Sequence, residues 1–455
     1  MKKFLETFKH IWAIEELRKR ITYTLMLLVI YRLGSYIILP GVDAEMLEGL
    51  RGQTKNNILG LINTFAGGAF ARGAIFALGI MPYISASIFM QLVSIAIPSF
   101  QRLQKEGEEG RRKINQYTRI LTIIFTMVQA YAYLNNIIGT PGNARALLFN
   151  YGDIMSKSMF LFTNVILLTA GTMFTMWMGE RITDRGLGNG ISLIIMVGII
   201  ARMPSAIVSE FLFRLTKGGP ILFLVELVIW FMVVLLVILL TQGTRKISVN
   251  YAKRVIGNRQ YGGARQYLPI KILAAGVMPI IFAQALLFLP ATIGSFYTET
   301  SAPDWLMSLM NPYGFWHNAF LVFLIVVFTY FYTAIIFNPV QMAEDMKRNN
   351  GFIPGIKPGK HTANFIDGVI SRITLPGAIA ISIVAVLPVF AVQANVNQEF
   401  SQFFGGTSLL ILVGVVLDTL QQIDSYLLMR KYDGLMSGGG RMKGRMTNGY
   451  NQVDF

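Results

Sequence analysis

Few side chains in this sequence could do covalent chemistry. It holds three histidines, His10, His317 and His361, and no cysteine. All three histidines fall outside the long apolar runs or at an edge of one, and none has the spacing of a metal-ligating pair. Thiolate nucleophiles, disulfides and Cys-ligated metals are therefore excluded. A serine or metal-dependent protease working inside a membrane would need a histidine at depth, and none is available. No GxxxxGKS/T loop is present to cradle a nucleotide phosphate. Carboxylates within apolar runs are few: Glu226 near one end of one run and Asp418 toward the inner end of another. A proton-coupled transporter usually keeps more than that at mid-depth. Arg32, inside the first run, reads as snorkelling or as paired with a backbone carbonyl. No catalytic group, metal or cofactor is expected, so the energy for any work must come from outside the chain.

The elements that would position these residues are membrane spans. Of 455 residues 53% are hydrophobic and 14% charged, far from the usage of a soluble domain. Apolar runs recur at about 20 residues, the length that crosses roughly 30 Å of hydrocarbon. Ten emerge, at about 21–39, 74–97, 119–138, 159–179, 187–207, 221–241, 272–294, 318–338, 374–393 and 407–428. The start, MKKFLETFKHIWAIEELRKR, has charges throughout and no small-residue cleavage site. Residues 1–20 thus read as an amphipathic surface helix, not a signal peptide. An even number of spans puts both termini on one side. That side carries 31 of the 40 Lys and Arg residues, against 8 opposite and Arg32 within the first run. Because cytoplasmic loops retain basic residues, the termini and the two long loops, 242–271 and 339–373, are expected in the cytoplasm. The formal +16 is then concentrated on one face. Topology alone accounts for that, and so does recruitment of a large anionic partner.

Three stretches ask for more than an anchor. Before Ala74, NILGLINTFAGGAFARGA is half apolar, rich in Gly and Ala, and too broken to span. Backbone that is not continuous helix persists at membrane depth only inside protein or beside a water-filled cavity. The piece therefore lies flat at the outer surface or folds back into a cavity. Gly67 and Gly68 each lower helix stability by about 1 kcal/mol relative to Ala, which suits a piece that must come loose. Second, isoleucines recur beside breakers and polar residues: Ile80 and Ile84 around Met81-Pro82, Ile191 and Ile195 after GLGNG, Ile281 after Pro279, and Ile411 in GGTSLLI. Each pair is spaced i, i+4 and shares a helical face. Such side chains face lipid or a neighbouring helix, or they project into an aqueous cavity as a constriction that excludes water yet yields to a passing chain. Third, Ile247, Val249 and Tyr251 alternate with polar residues in the earlier basic loop and a Gly-rich turn follows, which predicts a hairpin. The later loop is punctuated by Gly351, Pro354, Gly355, Pro358 and Gly359, which predicts a stiff, non-helical tip. Long ordered projections are uncommon unless functional.

At these stretches the sequence resembles the SecY/Sec61-alpha family of protein-translocation channels. The resemblance is carried in order by FALGIMPYISASI, GEEGRRKINQYTR, ITDRGLGNGISLII, VNYAKR, LPIKI with GVMPIIFA, LFLPATI, NPVQMAEDMKRNNGFIPGIKPGKHTA and GGTSLLILVGV. It implies an all-α polytopic membrane protein with ten transmembrane helices in two pseudo-symmetric five-helix halves, 21–207 and 208–430, that open toward lipid between spans 2–3 and 7–8. It implies a pore ring of Ile80, Ile84, Ile191, Ile195, Ile281 and Ile411, and a re-entrant plug helix over about 58–74 with Phe65, Gly67, Gly68 and Arg72 on its pattern. Polar lateral-gate positions fall on Gln91, Gln129 and Gln284, which are expected to hydrogen-bond among themselves in the closed state. Lys253 and Arg254 in VNYAKR, and Lys357 in PGIKPG, fall on docking positions for the SecA motor and for ribosomal RNA phosphate. The family commonly has Arg where this chain has Lys357, and Lys keeps the charge but loses the planar bidentate fork. The Gly-rich tail, 431–455, matches no family motif and reads as flexible.

The resemblance implies a bacterial cytoplasmic membrane protein with both termini inside, working with the small SecE and SecG subunits. Its expected clients are signal peptides and nascent chains, passed across or released sideways to membrane lipids, with SecA or the ribosome driving. The rival reading of the residues is a secondary transporter of a small solute, which would share broken helices and internal repeats.

Overall fold

The computed structural model describes residues 12, 14–43, 47, 59–139, 156–217, 219–251, 254–256, 259–261, 265–273, 276–294 and 303–438. Its frame is a bundle of long apolar helices. Among the described residues, seven are long and apolar enough to cross a membrane: α5 (Glu108–Gly139), α6 (Lys157–Arg185), α7 (Gly190–Thr216), α8 (Pro220–Gln242), α11 (Phe315–Ile336), α13 (Lys360–Gln393) and α15 (Gly406–Gly438). The chain is thus a multi-pass membrane protein. The other three expected crossings are also helices, but shorter or bent ones. They are α1 (Glu15–Gly34), α3 (Met81–Ala96) with α4 (Pro98–Lys105) after it, and α9 (Met278–Gly294). The α3–α4 pair bends by 105°. Pro98 supplies no N–H and pushes Ile97 into extended backbone (φ −107°, ψ 119°), so one helix ends and another starts.

Several expected boundaries move. α1 ends at Gly34, not 39, and starts at Glu15, so the described part of the expected surface helix 1–20 is continuous with the first span. The second span starts at Met81, not 74. Leu39 N donates to the Gly73 carbonyl (2.8 Å) and Ile75 N to the Ile37 carbonyl (2.9 Å), an antiparallel bridge that takes those amides out of any helix. Gly73 (φ 66°) and Gly79 (φ 54°) then turn the backbone through a region that L side chains avoid. Within the expected 58–74 re-entrant helix, only α2 (Leu59–Phe65) is helical, and turns follow from Ala66 to Ile80. The fifth span runs to Thr216 instead of 207, which takes Arg214 from the outer loop into α7.

Packing runs in two series. α3 packs on α5, α5 on α6 and α6 on α7; separately, α9 packs on α11, α11 on α13 and α13 on α15. The series meet where α3 touches α9 and α7 touches α15. α6 and α7 approach most closely at two glycines. A Cβ on Gly190 would strike the carbonyl of Gly179, so no larger residue fits without a shift.

The two basic loops form one unit, which the sequence reading did not foresee. β1 (Thr244–Tyr251) pairs antiparallel with β4 (Arg265–Lys271), from Thr244 opposite Lys271 to Asn250 opposite Arg265, as the expected hairpin requires. β2 (Arg254–Ile256) and β3 (Arg259–Tyr261) form a two-stranded extension between them. β5 (Gly351–Phe352), from the later loop, adds to the other edge of β1. Alternation buries Ile247 and Val249 against Ile270, Met346, Ile353, Ile366 and Ile370. Most of the later loop outside its tip is helical: α12 (Pro339–Arg348) precedes β5, and α13 starts at Lys360. Only the tip at 353–359 keeps its turns, with Gly355 at φ 83° and Gly359 at φ 99°. Asn338 caps α12 by accepting from Gln341 N at 3.2 Å, so the proline at its first turn costs no hydrogen bond. α15 runs through Gly438, so the expected tail 431–455 begins as helix, and 439–455 lie outside the described residues.

Candidate functional site

Each of the six isoleucines is positioned by the breaker beside it. Ile80 ends the turns at the start of α3, where Pro82 occupies the first turn and Ile84 follows. In GLGNG, Gly188 adopts φ 75° and Asn189 Oδ1 accepts from Ile191 N (3.1 Å) and Ser192 N (3.3 Å), so α7 starts at that point. Ile281 lies in the first turn of α9 after Pro279. α15 starts where Gly405 and Gly406 pack on Val384, Leu387 and Pro388 of α13, and Ile411 follows. Ile80, Ile84, Ile195, Ile281 and Ile411 are at most 5% exposed, and one continuous apolar cluster holds all five, with Ile191 half-buried against it. The same cluster includes Phe65.

The segment that carries Phe65 is held by a small set of polar contacts. Gly67 (φ 62°) turns its carbonyl toward two guanidinium groups: Arg32 Nη1 donates at 2.8 Å and Arg72 Nη2 at 2.9 Å. Arg32 Nη2 also donates to the Tyr36 hydroxyl (3.1 Å), and both guanidiniums lie over the Tyr36 ring, at 5.0 and 4.2 Å. The expected carbonyl partner of Arg32 is thus the Gly67 oxygen. Asn63 Oδ1 accepts from Ala71 N (3.0 Å), which folds the Gly67-Gly68 turn back on α2. The Tyr133 hydroxyl of α5 donates to the Phe70 carbonyl (2.7 Å). From the second series, Gln402 Oε1 accepts from the Thr64 hydroxyl at 2.7 Å, between α14 (Gln398–Ser401) and α15. Gly198 of α7 lies so close that a Cβ there would overlap the Phe65 carbonyl. A cavity of about 510 Å³ opens beside this segment, lined by Arg32, Tyr36, Arg72, Arg202, Glu399 and Gln402 among others.

The three glutamines do not form the expected mutual hydrogen bonds. Gln91 Oε1 accepts from the Tyr332 hydroxyl of α11 (2.9 Å), so a tyrosine supplies the polar contact across α3 and α11. Gln284 is 1% exposed, and neither of its amide atoms has a partner among the described residues. It lines a cavity of about 50 Å³ with His317, Asn318, Thr407 and Ser408, away from Gln91. Gln129 is half-buried on α5. Gln284 faces that cavity and Gln91 faces Tyr332, so the two amides do not meet.

Of the three basic docking positions, Lys253 lies outside the described residues, and Arg254 is placed only by its backbone in β2. Lys357 is exposed at the tip of the later loop, whose shape is fixed by the Thr362 hydroxyl donating to the Lys357 carbonyl (2.9 Å).

Sequence reasoning missed one buried ionic cluster. Glu210 and Arg214 of α7 pair at 2.9 Å, Arg214 also bonds Glu226 of α8, and its Nη2 donates to the Asn395 carbonyl at 2.9 Å. Glu210 Oε2 in turn accepts from Asn397 N (2.8 Å). All three ionisable side chains are buried, so the cluster clamps α7, α8 and the turn after α13 together. The i, i+4 spacing of Glu210 and Arg214 was the available signal, and it was lost because that stretch was assigned to a loop. Tyr133, Tyr332 and Gln402 had no local signal, because each partner is distant in sequence; Tyr36 follows its partner Arg32 by four residues.

Comparison with known proteins identifies the family. A family model described as SecY matches residues 74–420. The chain is 41% identical over 444 residues to a protein translocase subunit SecY of Streptomyces scabiei, covering 95% of this chain and 100% of that one. It is 40% identical over 430 residues to the SecY subunit of Escherichia coli K12, covering 93% and 95%. In fold it is similar to a solved protein-conducting channel, with a TM-score of 0.61 at 19% identity over 89% of this chain and 91% of that one. It is also similar to Sec61 in a canine ribosome–channel complex, with a TM-score of 0.56 at 17% identity over 89% and 91%. These likenesses do not favour a small-solute transporter. The chain belongs to the SecY family, and it is the subunit of a protein-conducting translocation channel and not an enzyme.

Proposed function

We propose that polypeptide passes through the apolar cluster at Ile80, Ile84, Ile191, Ile195, Ile281 and Ile411, with the segment over about 58–74 as the plug that closes it. In this reading the isoleucines form a gasket with no hydrogen bond to break, so a chain displaces them without leaving an unsatisfied polar group. One observation carries the proposal. The segment containing Phe65, Gly67, Gly68 and Arg72 is packed into that cluster and bonded both to the first helix series, through Arg32 and Tyr133, and to the second, through Gln402. The two series, 21–207 and 208–430, act as halves that part between α3–α5 and α9–α11. A segment of about 20 apolar residues then leaves sideways into lipid. Gln91, paired with Tyr332, is the polar contact of that gate, with Gln129 and Gln284 on the helices that flank it.

The sheet that joins the two basic loops presents the docking face, with Lys253, Arg254 and Lys357 as its charges for a SecA-type motor or for ribosomal RNA phosphate. Both termini lie in the cytoplasm of a bacterial cell, and SecE- and SecG-type subunits complete the complex. The test reconstitutes the chain with those subunits in vesicles and follows both ion leak and the crossing of a signal-bearing polypeptide. Ile84→Asn or Ile411→Asn raises the leak and relaxes the signal requirement; unchanged leak and selectivity would remove the gasket.

A further inference from the structure

The cavity of about 510 Å³ beside the plug is lined by three arginines, Arg32, Arg72 and Arg202, contributed by α1, the plug segment and α7. Two of them approach a single acceptor. Arg32 Nη1 and Arg72 Nη2 stand 2.8 and 2.9 Å from the Gly67 oxygen, so their nitrogens are separated by less than the sum of those distances. Like charges this close repel unless something negative is shared between them. One carbonyl oxygen accepts from both, yet Arg72 Nε is buried without a partner among the described residues. A guanidinium carries five N–H donors and no acceptor. The cavity therefore gathers three guanidinium charges around the Gly67 oxygen, the Tyr36 hydroxyl and the amides of Asn63, Gln398 and Gln402. Glu399 supplies the carboxylate among the described lining residues, against three guanidiniums. Planar, bidentate donors of this kind match the oxygens of phosphate better than they match a halide.

We propose that this cavity is a binding site for a phosphate-class oxyanion, held by Arg72 and Arg202 with Arg32 and bridging the plug to α1 and α7. The anion comes from free inorganic phosphate or from a phospholipid headgroup, and the chemistry of recognition is shared. Its consequence, that the bound anion holds the plug shut, rests on the plug reading above; the binding itself does not.

The test uses the full chain with its partner subunits. In neutral detergent, thermal unfolding is followed against inorganic phosphate, with chloride adjusted to keep ionic strength constant. The expected result is a saturable rise in Tm, with apparent affinity reduced at least about tenfold in Arg202→Gln. The Arg202→Gln variant leaves both bonds to Gly67 intact, so folding is preserved. The lipid arm uses vesicles of neutral phosphatidylcholine with or without phosphatidylglycerol and no free phosphate. Stabilisation that appears there and is lost in Arg202→Gln identifies the headgroup as the source and supports the site equally. A Tm that tracks ionic strength alone, or a phosphate effect undiminished in Arg202→Gln, overturns the proposal. Saturable binding with an ion leak that does not fall as phosphate rises would retain the site and refute its link to the plug.

Discussion

Gly198→Ala adds one methyl group where the plug touches α7. The new Cβ would overlap the Phe65 carbonyl oxygen and stand 3.0 Å from the Phe65 carbonyl carbon and 3.2 Å from Gly67 N. These are backbone atoms, so no rotamer change relieves the contact, and the plug must retreat from α7. Overpacking of this kind costs about 1–3 kcal/mol, and here the retreating side is the one that can leave. The plug-displaced population should therefore rise by roughly 5- to 150-fold. Within α7 itself the change favours the helix by about 1 kcal/mol, since Ala is a better helix former than Gly. The helix gain offsets part of the overpacking cost in global stability but none of it in plug retention, so leak changes by more than thermal stability does. Ion efflux from vesicles bearing the complex reads the displaced population, and thermal unfolding reads the fold. A variant with wild-type leak and unchanged signal requirement would refute the contact as the plug's seat.

Three further substitutions test other parts of the arrangement. Thr64→Val removes the bond to Gln402 while nearly keeping volume, and should raise leak about fivefold, the equivalent of one neutral hydrogen bond of about 1 kcal/mol; efflux at fixed protein density checks it. Arg214→Leu leaves Glu210 and Glu226 buried without their cation and should destabilise by about 3–5 kcal/mol in thermal unfolding. Adding Glu210→Gln and Glu226→Gln to Arg214→Leu should recover most of that loss. Ile247→Asp buries a charge under the cytoplasmic sheet, and should expose both loops to protease and abolish motor or ribosome binding while leaving the membrane helices folded.

What the sequence made legible was whatever depends on local pattern. Each apolar run from 119 onward corresponds to a helix, and the alternation of Ile247, Val249 and Tyr251 gives a strand. The Gly67-Gly68 break does end α2, because both residues take positive φ. What stayed hidden depends on partners far along the chain. Residues 74–80 have the composition of a span, but Gly73 and Ile75 pair with Leu39 and Ile37 instead of continuing a helix. α7 outruns its apolar stretch because Glu210 and Arg214 satisfy each other and reach Glu226 and the Asn395 turn. The sheet that unites the two basic loops needed β5 to find β1 across about a hundred residues, and two-residue strands leave no periodicity to read. The polar partner of Gln91, the Tyr332 hydroxyl of α11, lies 241 residues away and leaves no local pattern.

The distribution of the plug's contacts has a mechanical consequence. Toward the first helix series it is held by Arg32 through the Gly67 carbonyl, by Tyr133 through the Phe70 carbonyl, and by close packing of Phe65 and Gly67 on Gly198. Toward the second series, among the described residues, the hydrogen bond is the single one from Thr64 to Gln402. A charge-assisted bond such as that from Arg32 contributes about 1.5–3 kcal/mol and a neutral one about 1. In the proposed reading, parting the halves breaks the weaker attachment first, and the plug travels with residues 21–207. It then leaves its seat in a second step, when a chain presses on the Gly198 contact. The seal and the gate are thereby coupled through one weak bond, so that opening sideways loosens the plug without discharging it. A cross-link between Thr64 and Gln402 positions, made by replacing both with cysteine, should block translocation and leak when oxidised and restore both on reduction, whereas free translocation through the oxidised form would show that the halves part without breaking this bond.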